Sequence, residues 1–169
     1  MIHLNIGSNL TSIYGSKFDN IAIAINLLIK IKLKIVKISN YYETPSYPNR
    51  SYPNFANIGL LCSYDLGYKK LFKEISLIEK KLGRKKSQKN DPRICDIDII
   101  DFNSSVHKDK NVELPHPRAH IRNFVLYPIK EIDPNWTHPI IKIKVDKLIS
   151  QLAQKSRIEI TRLTKSVII

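Results

Sequence analysis

Asp96 and Asp98 stand two residues apart in the stretch "NDPRICDIDIIDF", residues 90–102. In a strand, alternate side chains share a face. Both carboxylates then project side by side, about 7 Å apart at the backbone. Anions that close repel each other unless a cation joins them. Two kinds of cation meet that need. Magnesium takes one or two carboxylates and fills its shell with water and phosphate oxygens. Lysine or arginine at a strand end would serve equally well. The neighbouring Ile97, Ile99 and Ile100 make a buried strand credible.

The loop before the pair is cationic. Lys80, Lys81, Arg84, Lys85, Lys86, Lys89 and Arg93 face one acid, Asp91, between residues 80 and 93. Read alone, such a loop is a solvated polar segment. Run into an acidic pair, it suits a polyphosphate whose charge is shared between protein cations and Mg²⁺. Arg84 and Arg93 are the strongest candidates, because a guanidinium fork grips phosphate through two bonds. No Gly-x-x-x-x-Gly-Lys-Ser/Thr loop occurs, and "IGSNL" offers a single glycine, which fits a plain strand-ending turn. "LPHPRAHIRNF" gathers His116, Arg118, His120 and Arg122. Its prolines argue against a helix, and no third ligand type follows at useful spacing, so phosphate contacts from His116 and Arg122 fit better than zinc. Phe55 and Phe124 could sandwich a flat heterocycle whose amide-like edge Asn57 reads.

These residues need elements to position them. Residues 2–6 suit a short strand ended by "GSN". From Phe18, apolar residues recur at Ile21, Ile25, Leu28 and Ile31, a helical spacing. "KIVKISNYYET" reads as one strand closed by Pro45, and "SYPNRSYPN" as a loop. "FANIGLLCSY" is an apolar strand. Leu71, Phe72, Ile75, Ile78 and Leu82 form a helical stripe ended by Gly83. With the Asp-bearing strand the order is βαββαβ, that of the ferredoxin-like α+β sandwich, one sheet face being open to a ligand or to extra elements. Residues 103–139 read as loop-rich. An extra C-terminal helix near 145–155 and a strand near 157–163 are expected.

The 169 residues fit one domain, 1–169, and 43% hydrophobic residues suffice for a core. Cys62 and Cys95 are the only cysteines, which suggests free thiols in a reducing compartment. "MIHLNIGSNL" lacks the pattern of a signal peptide, and "IAIAINLLI" is about half the length of a bilayer span. A cytoplasmic protein is expected. The net charge of +13, from 28 basic and 15 acidic residues, implies anionic partners such as nucleic acid, a membrane surface or phosphorylated small molecules.

The pieces "IGSNL", "YYETPSY", "PNFANIGL", "IEKKLGR", "PRICDIDII" and "LPHPRAHIRNFVLYPIKEIDP" occur in one order over residues 2–135. Together they resemble the 6-hydroxymethyl-7,8-dihydropterin pyrophosphokinase family of folate biosynthesis. That family is similar in fold to the sandwich read above. Its members move pyrophosphate from ATP to the hydroxymethyl group of the dihydropterin and release AMP, with two Mg²⁺ ions bridging the phosphates. The resemblance implies Asp96 and Asp98 as metal ligands. It implies Thr44, Pro45, Phe55, Asn57 and Phe124 around the pterin, and Glu79, Arg84, Lys86, Arg93, Ile99, His116 and Arg122 at ATP. Arg84, Arg93 and Asp96 would then act in catalysis. The chain departs from the family in "GRKKSQKNDPR", which looks one residue short. Lys86 stands at a family Arg, Asn90 near the Trp that covers the pterin, and Asp91 at a Gly. Phe55 stands where Tyr is common.

The resemblance implies partners that are small molecules, ATP and the pterin, with no nucleic acid or membrane, and a monomer. The loop 84–92, polar with little to bury, is expected to be mobile. Two other readings remain open from the residues. The fold also hosts RNA-binding modules and the chain is basic, although an RNA reader would carry aromatics where this strand carries aspartates. A non-catalytic relative that binds pterin or nucleotide is the second.

Overall fold

The computed structural model describes residues 1–84, 91–165 and 167. Strand β1 (Ile2–Ser8) leads to helix α1 (Lys17–Lys30), then β2 (Lys34–Ile38), β3 (Tyr42–Thr44), β4 (Phe55–Ser63), α2 (Tyr68–Lys81) and β5 (Asp96–Phe102). A short hairpin, β6 (His107–Lys108) and β7 (Glu113–Leu114), follows. Helices α3 (Asn123–Ile132), α4 (Val145–Gln151) and α5 (Gln154–Ile158) and strand β8 (Thr161–Arg162) complete the chain. The main sheet runs β5-β1-β4-β3-β8, with β2 also on β4. Every pairing in it is antiparallel. This is the expected α+β ferredoxin-like order.

Ile2, Leu4 and Ile6 of β1 are fully buried in a core with Ile21, Ala24, Ile25 and Leu28 of α1 and Leu71, Ile75 and Ile78 of α2. Period two meeting period 3.6 produces this layer. Ser16 caps α1: Asp19 N–H donates to its hydroxyl while the Asp19 carboxylate accepts from Ser16 N–H at 2.8 Å. Gly83, at φ +96°, turns the chain back after α2, so that Arg84 N–H donates to Glu79 O at 2.9 Å.

Two sequence expectations are corrected here. The single strand "KIVKISNYYET" is divided into β2 and β3. Between them Ser39 takes over the ladder through its side chain: Gly59 N–H donates to Ser39 Oγ at 2.9 Å. The stretch 103–139 also contains a ten-residue helix, α3. Its apolar positions Val125, Leu126, Ile129 and Ile132 are buried, a helical spacing that the neighbouring prolines mask. Pro128 inside the helix cannot donate to Phe124 O. Asn5 Nδ2 donates there instead, at 2.9 Å, and also to Ile58 O at 3.1 Å. A side chain at the centre of β1 thus replaces the lost helical bond and ties α3 to the sheet. Gly59 permits the approach, since a Cβ there would meet Pro128 Cβ at 2.8 Å.

Helices α3 and α4 with Trp136 cover one part of the second sheet face, packing on Ile100. The end of that face around Gly7 and Asp96 is left for a site. The expected C-terminal helix appears as two, α4 and α5, and the strand as β8, which pairs with β3. Cys62 and Cys95 are free and buried, and burial pushes the Cys62 thiol up to about 12. Among the described residues, no helix is long and apolar enough to cross a membrane.

Candidate active site

The register of the sheet builds the site. Gly7 lies opposite Asn57 on β4 and Asp96 on β5, and Asn5 lies opposite Gly59 and Asp98. Ile97 and Ile99 turn the other way, into the helix-side core. The alternation read from the sequence therefore leaves both carboxylates on the face away from α1 and α2. Their side chains are 26% and 30% exposed.

Each carboxylate has its own cations. Asp96 takes Arg84 Nη1 at 3.1 Å on Oδ1 and Arg93 Nη1 at 2.8 Å on Oδ2. Asp98 Oδ2 takes Arg122 Nη1 at 3.3 Å, with His116 Nε2 at 3.9 Å. Despite its open edge, Asp98 has a pKa raised above the usual carboxylate range, first by its low-polarity surroundings and then by the Asp96 charge. His116 goes the other way, down to about 4, through burial first and the Arg122 charge second. A neutral His116 accepts a proton donor at Nδ1, and Arg118 N–H donates there at 3.1 Å. A β-bulge sets its place: His3 pairs with Asp101 and Leu4 with Ile99, which leaves the Ile100 carbonyl free to accept from His116 N–H at 2.8 Å.

Glu79 on α2 is nearly buried and accepts from Ile97 N–H at 2.9 Å, and Arg84 closes on the same carboxylate. Burial raises its pKa against those two contacts. Glu79 thereby holds the start of β5 and aims Arg84 at Asp96.

The pterin candidates lie across β1 from the carboxylates. Asn57 Nδ2 donates to Thr44 Oγ1 at 3.1 Å, and both residues are buried. A Cβ on Gly7 would meet Asn57 Oδ1 at 3.0 Å and Phe55 at 3.7 Å, so the absent side chain keeps this floor open. Phe124 stands under Arg122, whose guanidinium lies 5.3 Å from the ring centre. Phe55, Phe124 and Pro45 are half-buried. The structure thus gathers Asp96, Asp98, Arg84, Arg93, Glu79, His116 and Arg122 beside Thr44, Asn57, Phe55 and Phe124. The Ile99 side chain is not brought there, because its strand parity sends it into the core. Lys86 and Asn90, and most of the loop expected to be mobile, fall in residues 85–90, outside the described residues.

Sequence reading missed Asn9. Its side chain is 3% exposed. Nδ2 donates to Ser46 Oγ at 3.2 Å and Pro53 O at 3.1 Å, while Oδ1 accepts from Arg93 N–H at 2.7 Å. A carbonyl only accepts and an N–H only donates, so the amide's orientation is fixed. Asn9 ties the root of loop 46–53 to Arg93. The asparagine of "IGSNL" was a signal, but its turn propensity concealed it.

Two carboxylates are a donor set for magnesium rather than for an all-protein cage. Among the described residues no group of three or more His, Cys, Asp or Glu side chains could hold a metal. Hard oxygen donors, water and phosphate would complete the shell.

Comparison with known proteins identifies the family. Residues 3–134 match the family model described as 7,8-dihydro-6-hydroxymethylpterin-pyrophosphokinase (HPPK). The 2-amino-4-hydroxy-6-hydroxymethyldihydropteridine pyrophosphokinase of Aquifex aeolicus is 36% identical over 141 residues, covering 83% of this chain and 85% of that protein. The folic acid synthesis protein FOL1 of Dictyostelium discoideum is also 36% identical, over 88% of this chain, which spans only 22% of that protein. The crystal structure of Plasmodium falciparum HPPK-DHPS shares the fold, with a TM-score of 0.70 at 15% identity over 95% of this chain and 47% of the other. With most of its length matched by the family model and by a relative of similar length, the chain belongs to the HPPK family.

Proposed function

We infer that the chain transfers pyrophosphate from ATP to the hydroxymethyl group of 6-hydroxymethyl-7,8-dihydropterin, releasing AMP, in folate biosynthesis. The observation that carries this reading is the sheet register at Gly7, with Asp96 on one side and Asn57 on the other. A phosphate-binding edge and a pocket for a flat polar ring are neighbours across a residue with no side chain.

In the reaction, the pterin hydroxyl oxygen bonds to the β-phosphorus, and the bond from that phosphorus to the AMP oxygen breaks. The protein's task is positioning and charge balance. Asn57 and Thr44 read the edge of the pterin, and Phe55 and Phe124 flank its faces. Arg84, Arg93 and Arg122, with His116, hold the phosphate chain and balance the charge that grows on its oxygens. Asp96 orients the hydroxyl or accepts its proton. Asp98 and Asp96 would hold Mg²⁺, two ions in this reading, which when bound draw charge from the phosphate oxygens. The arginines that now balance the carboxylates are then free for phosphate. Residues 1–169 act as one domain, a cytoplasmic monomer whose partners are ATP and the pterin, without nucleic acid or membrane.

The test is direct. Purified chain, hydroxymethyl-dihydropterin, ATP and Mg²⁺ are mixed, and AMP is followed. AMP release that requires the pterin is the expected result. ATP left intact in the complete mixture would overturn the reading.

A further inference from the structure

The family match ends at residue 134, yet residues past that point reach the candidate pterin pocket. Arg50 lies in loop 46–53, between Thr44 and Phe55. Its Nη2 meets Glu159 Oε1 at 2.5 Å. Glu159 follows α5, and its side chain is 26% exposed.

The segment that carries Glu159 is fixed at several points, two of them next to pocket residues. Asn123 Nδ2 donates to Ser156 O at 2.6 Å, and Asn123 immediately precedes Phe124. Strand β8 pairs with β3, setting Tyr42 against Arg162 and Glu43 against Thr161. Leu163 N–H donates to Tyr41 O at 2.8 Å. Arg162 Nε reaches Glu131 Oε2 at 3.6 Å, and Tyr42 hydroxyl donates to the same oxygen at 2.7 Å. The C-terminal segment therefore spans from the α3 end of the pocket to its β3 wall.

Loop 46–53 has a firm root and a loose tip. At the root, Ser46 Oγ donates to Pro53 O at 2.6 Å, and Asn9 holds both residues. At the tip, Tyr47 is 79% exposed, and the interactions that leave the loop there centre on Arg50.

We propose that Glu159 is a positioning residue for the pterin site: anchored on the C-terminal segment, it latches Arg50 and so holds loop 46–53 in place before pterin binds. This rests on the function inferred above. A loop held in advance loses less freedom when its ligand arrives, so the latch acts on pterin binding and not on ATP or on the chemical step. An exposed ion pair has a small effect, roughly two- to fivefold in affinity, and a salt-sensitive one.

The test combines kinetics and exchange on the full chain. Arg50→Ala and Glu159→Ala are each expected to raise KM for the pterin roughly two- to fivefold. The values of kcat and of KM for ATP should stay as in the wild type. The double variant should be no worse than either single one, the difference should vanish in 1 M NaCl, and the exchanged pair Arg50→Glu with Glu159→Arg should restore the wild-type value. Unchanged pterin KM in both single variants, or additive effects in the double variant, would overturn the latch. Wild-type protein that releases no AMP would instead mark failure of the functional reading. Hydrogen exchange over residues 46–53 in ligand-free protein still decides the latch in that case: Glu159→Ala speeds it if the latch exists and leaves it unchanged if not.

Discussion

Strand β5 carries aspartates at both ends, in two unlike settings. Asp101, 1% exposed, accepts from Trp136 Nε1–H at 2.9 Å and Ser104 N–H at 2.8 Å. These two donors are neutral and built into the fold, with His3 Nδ1 farther off at 3.9 Å. Asp96 and Asp98, a few residues earlier, are partly exposed and have charged partners in Arg84, Arg93 and Arg122. A buried aspartate met by fixed neutral donors is part of the framework. An open pair met by exchangeable guanidinium groups can trade them for another cation and release them to another anion. The same residue type on one strand thus separates support from chemistry.

Substitution should break that contrast in opposite directions. Asp98→Ala is expected to lower kcat/KM by at least ~10³, because charge balance at the phosphate chain is worth several kcal/mol, with the melting temperature little changed. Normal turnover in that variant would remove Asp98 from the site. Arg93→Ala should lower kcat by roughly 10²–10³, the usual effect of losing one preorganised donor, and steady-state kinetics would show it. Asp101→Ala should do the reverse. It strands the buried indole N–H and an amide N–H, at about 1–3 kcal/mol, and denaturant unfolding would read this while kcat of the folded fraction stays near wild type.

The smallest effect concerns pH at the framework end. Burial lowers the pKa of His3 and of His138 from the ordinary 6.5. Asp101 and Asp133 oppose this at His3, the chain's own N-terminus adding to it. At His138, His120 adds to it and Asp101 opposes it. Below 6.5 the unfolded chain binds protons that the folded one refuses, so stability is full above 6.5 and falls as pH drops toward the lowered values. The slope is at most about 1.4 kcal/mol per pH unit for each group. His3→Gln should flatten the fall in melting temperature between pH 7 and 5, and an unchanged profile would clear His3 of that role.

Much of this contrast was legible in the sequence, and the rest was not for local reasons. Asp-x-Asp among isoleucines gave strand parity, and parity alone placed both carboxylates on one face. Apolar periodicity located α1 and α2 because each buries one stripe. Helix α3 stayed hidden because the bond Pro128 cannot make to Phe124 O is supplied by Asn5, 119 residues from Phe124, and no local pattern reports that. The break between β2 and β3 depends on Ser39 meeting Gly59, again across the sheet. The arginine partners of each carboxylate and the double tie made by Asn9 also follow from tertiary register. Ile99 was placed at ATP by resemblance, whereas parity already pointed its side chain inward.

The most direct test is a crystal structure with Mg²⁺, a non-hydrolysable ATP analogue and the pterin. Metal is expected at the Asp96 and Asp98 carboxylates, with Arg84, Arg93 and Arg122 moved onto phosphate oxygens. Nucleotide bound with no metal at that pair, and the arginines still holding the carboxylates, would contradict it.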